Sequence, residues 1–412
     1  MLRIPLVTLK SLMSRRWVEC FILFVLLSYP IMGSKVFPFG GGGRYLSVLA
    51  GPLVLLLLFF DSENDFRQMV QVAWKWAIPF VPFALTWEFI QLWHNLTPID
   101  STPLTRVFWG AVIYTGARRL GLTRKQLAYA AGLGACAYFF IAIDEFFVQG
   151  RGRVWGGVYE NRFGQFSVWL AGLCSLHFMS RKQEKLNFTL TPLLPLASVL
   201  ALIAAILSGS RGAIAALPTL LIVTLLADKQ NQKQAMVATA ILFIAMSFTL
   251  LFPAVNERFF LAYRELKQYF DETVFTETSI GIRLEMWRIA FGILSEHPFL
   301  GIGFTSFSAL QMNPMNHVTV PDVLRSLPDF HSDWGKIIGL GGALLLVSLG
   351  STIILLFRKS GSDVYRLWGL FSALIFSFAE LFFCNKLSFS FLVSTWALYS
   401  AAADNEDKII KK

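Results

Sequence analysis

A chain of 412 residues in which 55% are hydrophobic and 39 are phenylalanine has too little polar side chain to cover a soluble core of its size. Its mean hydropathy of +0.57 and its recurring apolar stretches, each able to cross roughly 30 Å of hydrocarbon as a helix, point to a polytopic all-α membrane protein. The short alternating strands of an outer-membrane barrel are missing from the sequence. The net charge of +10 sits in short loops between apolar runs instead of forming a patch or stripe, which argues against nucleic acid as a partner.

Hydropathy and length predict about twelve spans, near 17–33, 45–60, 69–93, 104–118, 126–148, 165–180, 189–208, 212–227, 235–253, 334–357, 366–383 and 386–402. Residues 1–412 read as a single integral membrane domain. The N-terminal "MLRIPLVTLKSLMSRRWVEC" carries basic residues and no small-residue cleavage site, so the first span reads as an uncleaved anchor. Alternate loops hold "ARRLGLTRKQ", "SRKQEK", "DKQNQK" and "FRKSGSDVYR", and the positive-inside rule puts that side in the cytoplasm. The acidic "DSENDFRQ" falls on the same side, where acidic residues carry little weight.

The opposite side receives one large segment, 254–332, between the ninth and tenth spans. Within it "NERFFLAYRELKQYF" and "IGIRLEMWRIAFGILSE" space apolar residues helically between charges, which predicts amphipathic helices. In "EHPFLGIGFTSF" the proline and glycines end a helix and turn the chain, and "QMNPMNHVTVPDVLRSLPDF" is irregular. The sequence has no internal repeat and no low-complexity tract.

This orientation puts arginines where short loops are expected to lack them: Arg211 in "LSGSRGAIAALP", Arg151, Arg153 and Arg162 in "QGRGRVWGGVYENRFGQ", and Arg283 and Arg288 in the large segment. Any one of them reads equally as a residue facing water or lipid headgroups. Together they suggest an anion, because guanidinium presents a planar fork of donors that matches phosphate oxygens and does not titrate away. Adjacent glycines permit close backbone approach, and Arg211 stands at a predicted helix start, where unsatisfied N–H groups favour phosphate. A lipid-linked diphosphate fits such a site; generic phospholipid headgroups, the membrane's own lipids, are the plain alternative.

Of five histidines, His177 lies within a span, His94 and His297 near helix ends, and His317 in an irregular segment. His331, in "FHSDWGKIIGLGG", stands where the chain re-enters the membrane and is the candidate base, since imidazole accepts protons near neutrality. Asp333 is two residues on, a spacing that points elsewhere on a helix. Asp144, Glu145, Glu88, Glu380 and Lys386 are ionisable groups near span ends that either act or only orient arginines, and Lys75 reads as a snorkelling residue. Trp155, Tyr159, Phe304, Phe307 and Trp334 suit sugar or prenyl stacking and equally an interfacial aromatic belt. Four cysteines without a CxxC spacing read as core residues, neither disulfides nor metal ligands.

Three pieces, "SGSRGA", "R-L-E-M-W-R-I-A…H-P-F-L-G-I-G" and "HSDWGKIIGLGG", together with the span pattern, make the chain resemble the bacterial O-antigen ligase family, within the ligase and O-antigen polymerase superfamily. "YENRFGQ", which includes Asn161 and Arg162, resembles a further family segment. Many members carry Asn after the histidine, where this chain has Ser332. The resemblance implies a glycosyltransferase of the Gram-negative inner membrane. Such enzymes move a glycan from undecaprenyl diphosphate to a sugar hydroxyl of lipid A-core on the periplasmic side, with no cofactor, nucleotide sugar or metal. It further implies that Arg211 and Arg283 hold the donor diphosphate and that His331 activates the acceptor hydroxyl. Trp287, four residues after Arg283, shares its helix face. An O-antigen polymerase and a transporter of lipid-linked glycans are the competing expectations. Repeat symmetry and helices broken at the midplane would mark a transporter.

Overall fold

The computed structural model describes residues 66–94, 103–157, 159–179, 193–226, 236, 240, 253–271, 278–303, 321, 324 and 330–410. The spans expected at 17–33, 45–60 and 235–253 lie wholly or almost wholly outside these residues, as do Phe304, Phe307 and His317. Among the described residues there is no strand. The helices are α1 (Phe66–Ala77), α2 (Val81–Trp93), α3 (Pro103–Leu120), α4 (Arg124–Ile143), α5 (Glu160–Met179), α6 (Leu193–Ser208), α7 (Arg211–Ile214), α8 (Leu217–Leu226), α9 (Pro253–Asp271), α10 (Ser279–Glu296), α11 (Asp333–Ser360), α12 (Val364–Ala379) and α13 (Lys386–Ile410). Among the described residues two stretches, Arg124–Val148 and Asp333–Ser360, are long and apolar enough to cross a membrane.

The chain divides into two compact units. One comprises Met1–Ala77, Phe108–Ser210 and Ser390–Lys412, the other Ile78–Val107 and Arg211–Phe389. In the first unit α4, α5 and α6 pack together. Thr123 opens α4 with a capping box, its hydroxyl accepting from Gln126 N–H while the Gln126 side chain accepts from Thr123 N–H. Small residues let the helices approach: a Cβ on Gly132 would lie 3.0 Å from Leu194, and the Ser175 and Ser198 hydroxyls meet at 2.7 Å. Asn405 of α13 donates to the carbonyls of Ala117 (3.4 Å) and Leu122 (3.1 Å), closing the turn between α3 and α4.

In the second unit α10 and α2 pack on α11, while α7, α8 and α11 pack on α12. Helix α11 is broken at Gly342, whose φ of 62° and ψ of −164° leave the helical region. The strap 297–303 fills that break. Ala343 and Leu344 N–H donate to the carbonyls of Pro298 (2.8 Å) and Phe299 (3.0 Å), and Gly303 N–H donates to Leu340 C=O (2.9 Å). A helix broken within an apolar environment must find other partners for its freed backbone groups, and the strap supplies them. Only glycine fits: a Cβ on Gly342 would lie 2.6 Å from Gly301 N, and one on Gly301 2.4 Å from Leu340 O.

Several spans differ from the hydropathy reading. The third is interrupted by a short 3-10 turn, Ile78–Phe80, at Pro79, which has no N–H to donate. The eighth is split into the single turn α7 and the helix α8. The fifth ends in a wide π turn, Asp144–Val148. The sixth begins at Glu160, so Asn161 and Arg162 ride on a helix and not in a loop. The eleventh ends at Ala379. The two helices expected in the large segment are α9 and α10.

Candidate active site

The second unit holds the three residues on which the sequence argument rests. Arg211 opens α7, and Gly212 after it is pressed onto the end of α12, where an added Cβ would stand 2.4 Å from Ala379 Cβ. The next residue, Glu380, caps α12, its N–H donating to Phe376 C=O at 2.9 Å. One Glu380 carboxylate oxygen lies 3.8 Å from Arg283 Nη2. Arg283 sits one turn into α10, a helix started by Thr278, whose hydroxyl accepts from Gly281 N–H at 3.0 Å. Three residues along α10, the sulfur of buried Met286 accepts the backbone N–H of His331 at 3.4 Å. Gly212, the neighbour of Arg211, and Arg283 therefore meet the same end of α12, and His331 is tied through its backbone to the helix that carries Arg283. All three are half-buried.

Asp333 joins these segments. Its side chain is fully buried, and its oxygens accept from three successive backbone N–H groups, Phe382 (2.6 Å), Phe383 (2.6 Å) and Cys384 (2.8 Å). Consecutive N–H groups form a concave nest for an anion, which compensates a carboxylate that would otherwise be costly to bury. Trp334 adds a second tie, its indole N–H donating to Ser377 Oγ at 2.8 Å while its ring stacks on Phe378. The start of α11 is thus fixed to the turn that carries Glu380. Both Asp333 oxygens are occupied by that turn. Ser332 caps α11 by accepting Gly335 N–H at 3.1 Å, a service that Asn performs equally well.

The other predicted residues of this unit are placed differently. Trp287 is half-buried on the Arg283 face of α10, 5.8 Å from the ring of Phe291. Arg288 is held by Glu285 through contacts of 2.5, 2.9 and 3.0 Å. Those hydrogen bonds push the Arg288 guanidinium further above its usual value. Tyr269 of α9 is raised chiefly by burial and then by the Glu285 charge, so it stays protonated at neutral pH.

The first unit holds the second group of arginines, of which Arg151 faces Glu145, a buried carboxylate at the end of α4. Its Oε2 accepts from Trp155 N–H (2.6 Å) and Gly156 N–H (3.0 Å), and its Oε1 lies 3.9 Å from Arg151. Asp144 beside it accepts from the Gln149 side chain. Arg153 donates to Ser208 C=O (3.1 Å) and Asn161 Oδ1 (3.2 Å), with Glu160 at 3.7 Å. Arg151 lies over the Trp155 ring at 5.6 Å and Arg162 over the Tyr159 ring at 5.4 Å. Tyr159 is the one non-glycine among the described residues with positive φ, at 69°, a conformation that costs a bulky side chain about 1–2 kcal/mol.

Asp333, Glu145 as a loop anchor, and the strain at Tyr159 were not read from the sequence. An acidic residue at a helix start is ordinary, and no local pattern shows that its ligands arrive about fifty positions later. Among the described residues no group of three or more His, Cys, Asp and Glu is placed to hold a metal ion.

Residues 196–337, from within α6 to the first turn of α11, match the model of the protein family described as O-antigen ligase. An uncharacterized protein of Haemophilus influenzae is 24% identical over 250 residues, which cover 58% of this chain and 61% of that relative.

Proposed function

We propose, on the match of residues 196–337 to the O-antigen ligase family, that the chain carries out the ligase reaction itself. The donor is an O-antigen glycan on undecaprenyl diphosphate, and the acceptor is a sugar hydroxyl of lipid A-core. The reaction takes place at the periplasmic face of the bacterial inner membrane. The observation that supports this reading is that Arg283 and Gly212, the residue after Arg211, both meet the end of α12, with the His331 backbone tied to the Arg283 helix.

His331 takes the proton from the acceptor hydroxyl as its oxygen attacks the anomeric carbon. The bond from that carbon to the diphosphate oxygen breaks with inversion, and undecaprenyl diphosphate leaves with the bonding pair. Arg211 and Arg283 neutralise the charge growing on the leaving group. Removing one such electrostatic donor typically costs about 2.7–4 kcal/mol of barrier, and a positioned base contributes roughly 10²–10⁴-fold. No step calls for a metal. Glu380 keeps Arg283 oriented until the diphosphate engages it.

The test is product identity. Purified chain in lipid nanodiscs, given lipid-linked glycan and lipid A-core with EDTA present, is expected to form core-attached glycan. His331→Ala should lower the rate at least about a hundredfold while remaining folded. Product consisting only of lengthened carrier-linked glycan would establish the polymerase instead, and full activity of His331→Ala would remove the proposed base.

A further inference from the structure

We propose that Trp155 and Tyr159 form a sugar-binding platform, a pair of adjacent, largely exposed aromatic side chains flanked by Arg151 and Arg162 that receives a pyranose ring of the substrate glycan. The two rings stand 6.3 Å apart and 27° from parallel, with Trp155 45% and Tyr159 64% exposed. Arg151 lies over the first ring and Arg162 over the second. The result is a pair of adjacent aromatic rings with a guanidinium over each, on the loop between α4 and α5 and the first turn of α5.

Tyr159 is poorly suited to what its backbone does. Its carbonyl accepts Phe163 N–H at 2.9 Å, starting α5, a place where Ser, Thr, Asp, Asn or Gly serves best. Its left-handed φ favours glycine, which the loop uses at Gly150, Gly156 and Gly157, all with positive φ. A side chain so largely exposed adds little to the core. Backbone strain of this kind clusters at functional sites, and what the strain achieves here is the display of an aromatic face. Pyranose rings present an apolar C–H face and a rim of hydroxyls, and acidic sugars add a carboxylate. Aromatic stacking and guanidinium donors match these features. The loop is itself rigid, because Glu145 binds Trp155 and Gly156 N–H and Arg153 binds Ser208 C=O.

The identity of the sugar as part of a ligase substrate rests on the function proposed above; the platform does not. Tyr159→Gly removes the ring and relieves the strain, so it separates binding from folding. In the purified full chain, its melting temperature is expected to equal or exceed that of the unaltered protein. KM for one glycan substrate is expected to rise by about three- to tenfold at unchanged kcat, and Tyr159→Phe should behave as the unaltered chain. A rise in donor KM assigns the ring to the lipid-linked glycan, and a rise in acceptor KM assigns it to the core. Saturation-transfer NMR with free O-antigen and free core oligosaccharides reads the same site without transfer. If the unaltered chain transfers nothing yet binds an oligosaccharide that Tyr159→Gly does not, the platform stands and the ligase reading falls. A lower melting temperature in Tyr159→Gly, or sugar binding equal to that of the unaltered protein, overturns the proposal.

Discussion

Asp333 holds a fully buried carboxylate whose neighbours are backbone N–H donors. Replacement by Asn keeps the shape but turns one acceptor into a donor facing donors, so hydrogen bonds to a charged group are lost and unsatisfied groups remain. Asp333→Asn is expected to destabilise the chain by about 2–4 kcal/mol, read as a lower melting temperature, and to reduce transfer because the turn carrying Glu380 is released. Asp144→Asn, at an exposed carboxylate, should stay within about 0.5 kcal/mol. Equal melting temperatures for the two variants would contradict the role given to Asp333. At this scale the sequence makes some residues legible and hides others. Arg211, Arg283 and His331 stand out because their chemistry is unusual in their surroundings. Asp333 does not, because its significance lies entirely in a turn far along the chain.

The helices themselves are written in hydropathy, their breaks much less so. Apolar runs locate α4, α6, α11 and α12 to within a few residues, and the amphipathic spacing locates α9 and α10. The interruption of α11 at Gly342 depends on the strap 297–303 meeting it, a contact that "GLGG" alone does not announce. Gly342→Ala must accommodate both a positive φ and a Cβ within 2.7 Å of three backbone atoms. A loss above about 2 kcal/mol is expected, measured by thermal unfolding in nanodiscs. Gly350, in the same helix with nothing within 4 Å of its Cβ position, is the internal comparison. There alanine is expected to stabilise by about 0.5–1 kcal/mol. If both glycines tolerate alanine, the strap does not hold the break open.

For the molecule as a whole, hydropathy suggests one membrane domain, and contacts group the chain into two compact units that it enters more than once. A count of spans carries no information about which spans cluster, so that division was not legible. The composition did give the helical class seen among the described residues, and the segment 196–337 that matches the family model spans all three residues of the candidate site. The central claim is that Arg211 and Arg283 grip one diphosphate. A double-mutant cycle on donor kcat/KM, using Arg211→Ala, Arg283→Ala and the pair, tests it most directly. Residues that act as a unit lose their effect together, so the double variant is expected to be about as impaired as the worse single one. Losses that multiply would mean the two guanidinium groups serve separate sites.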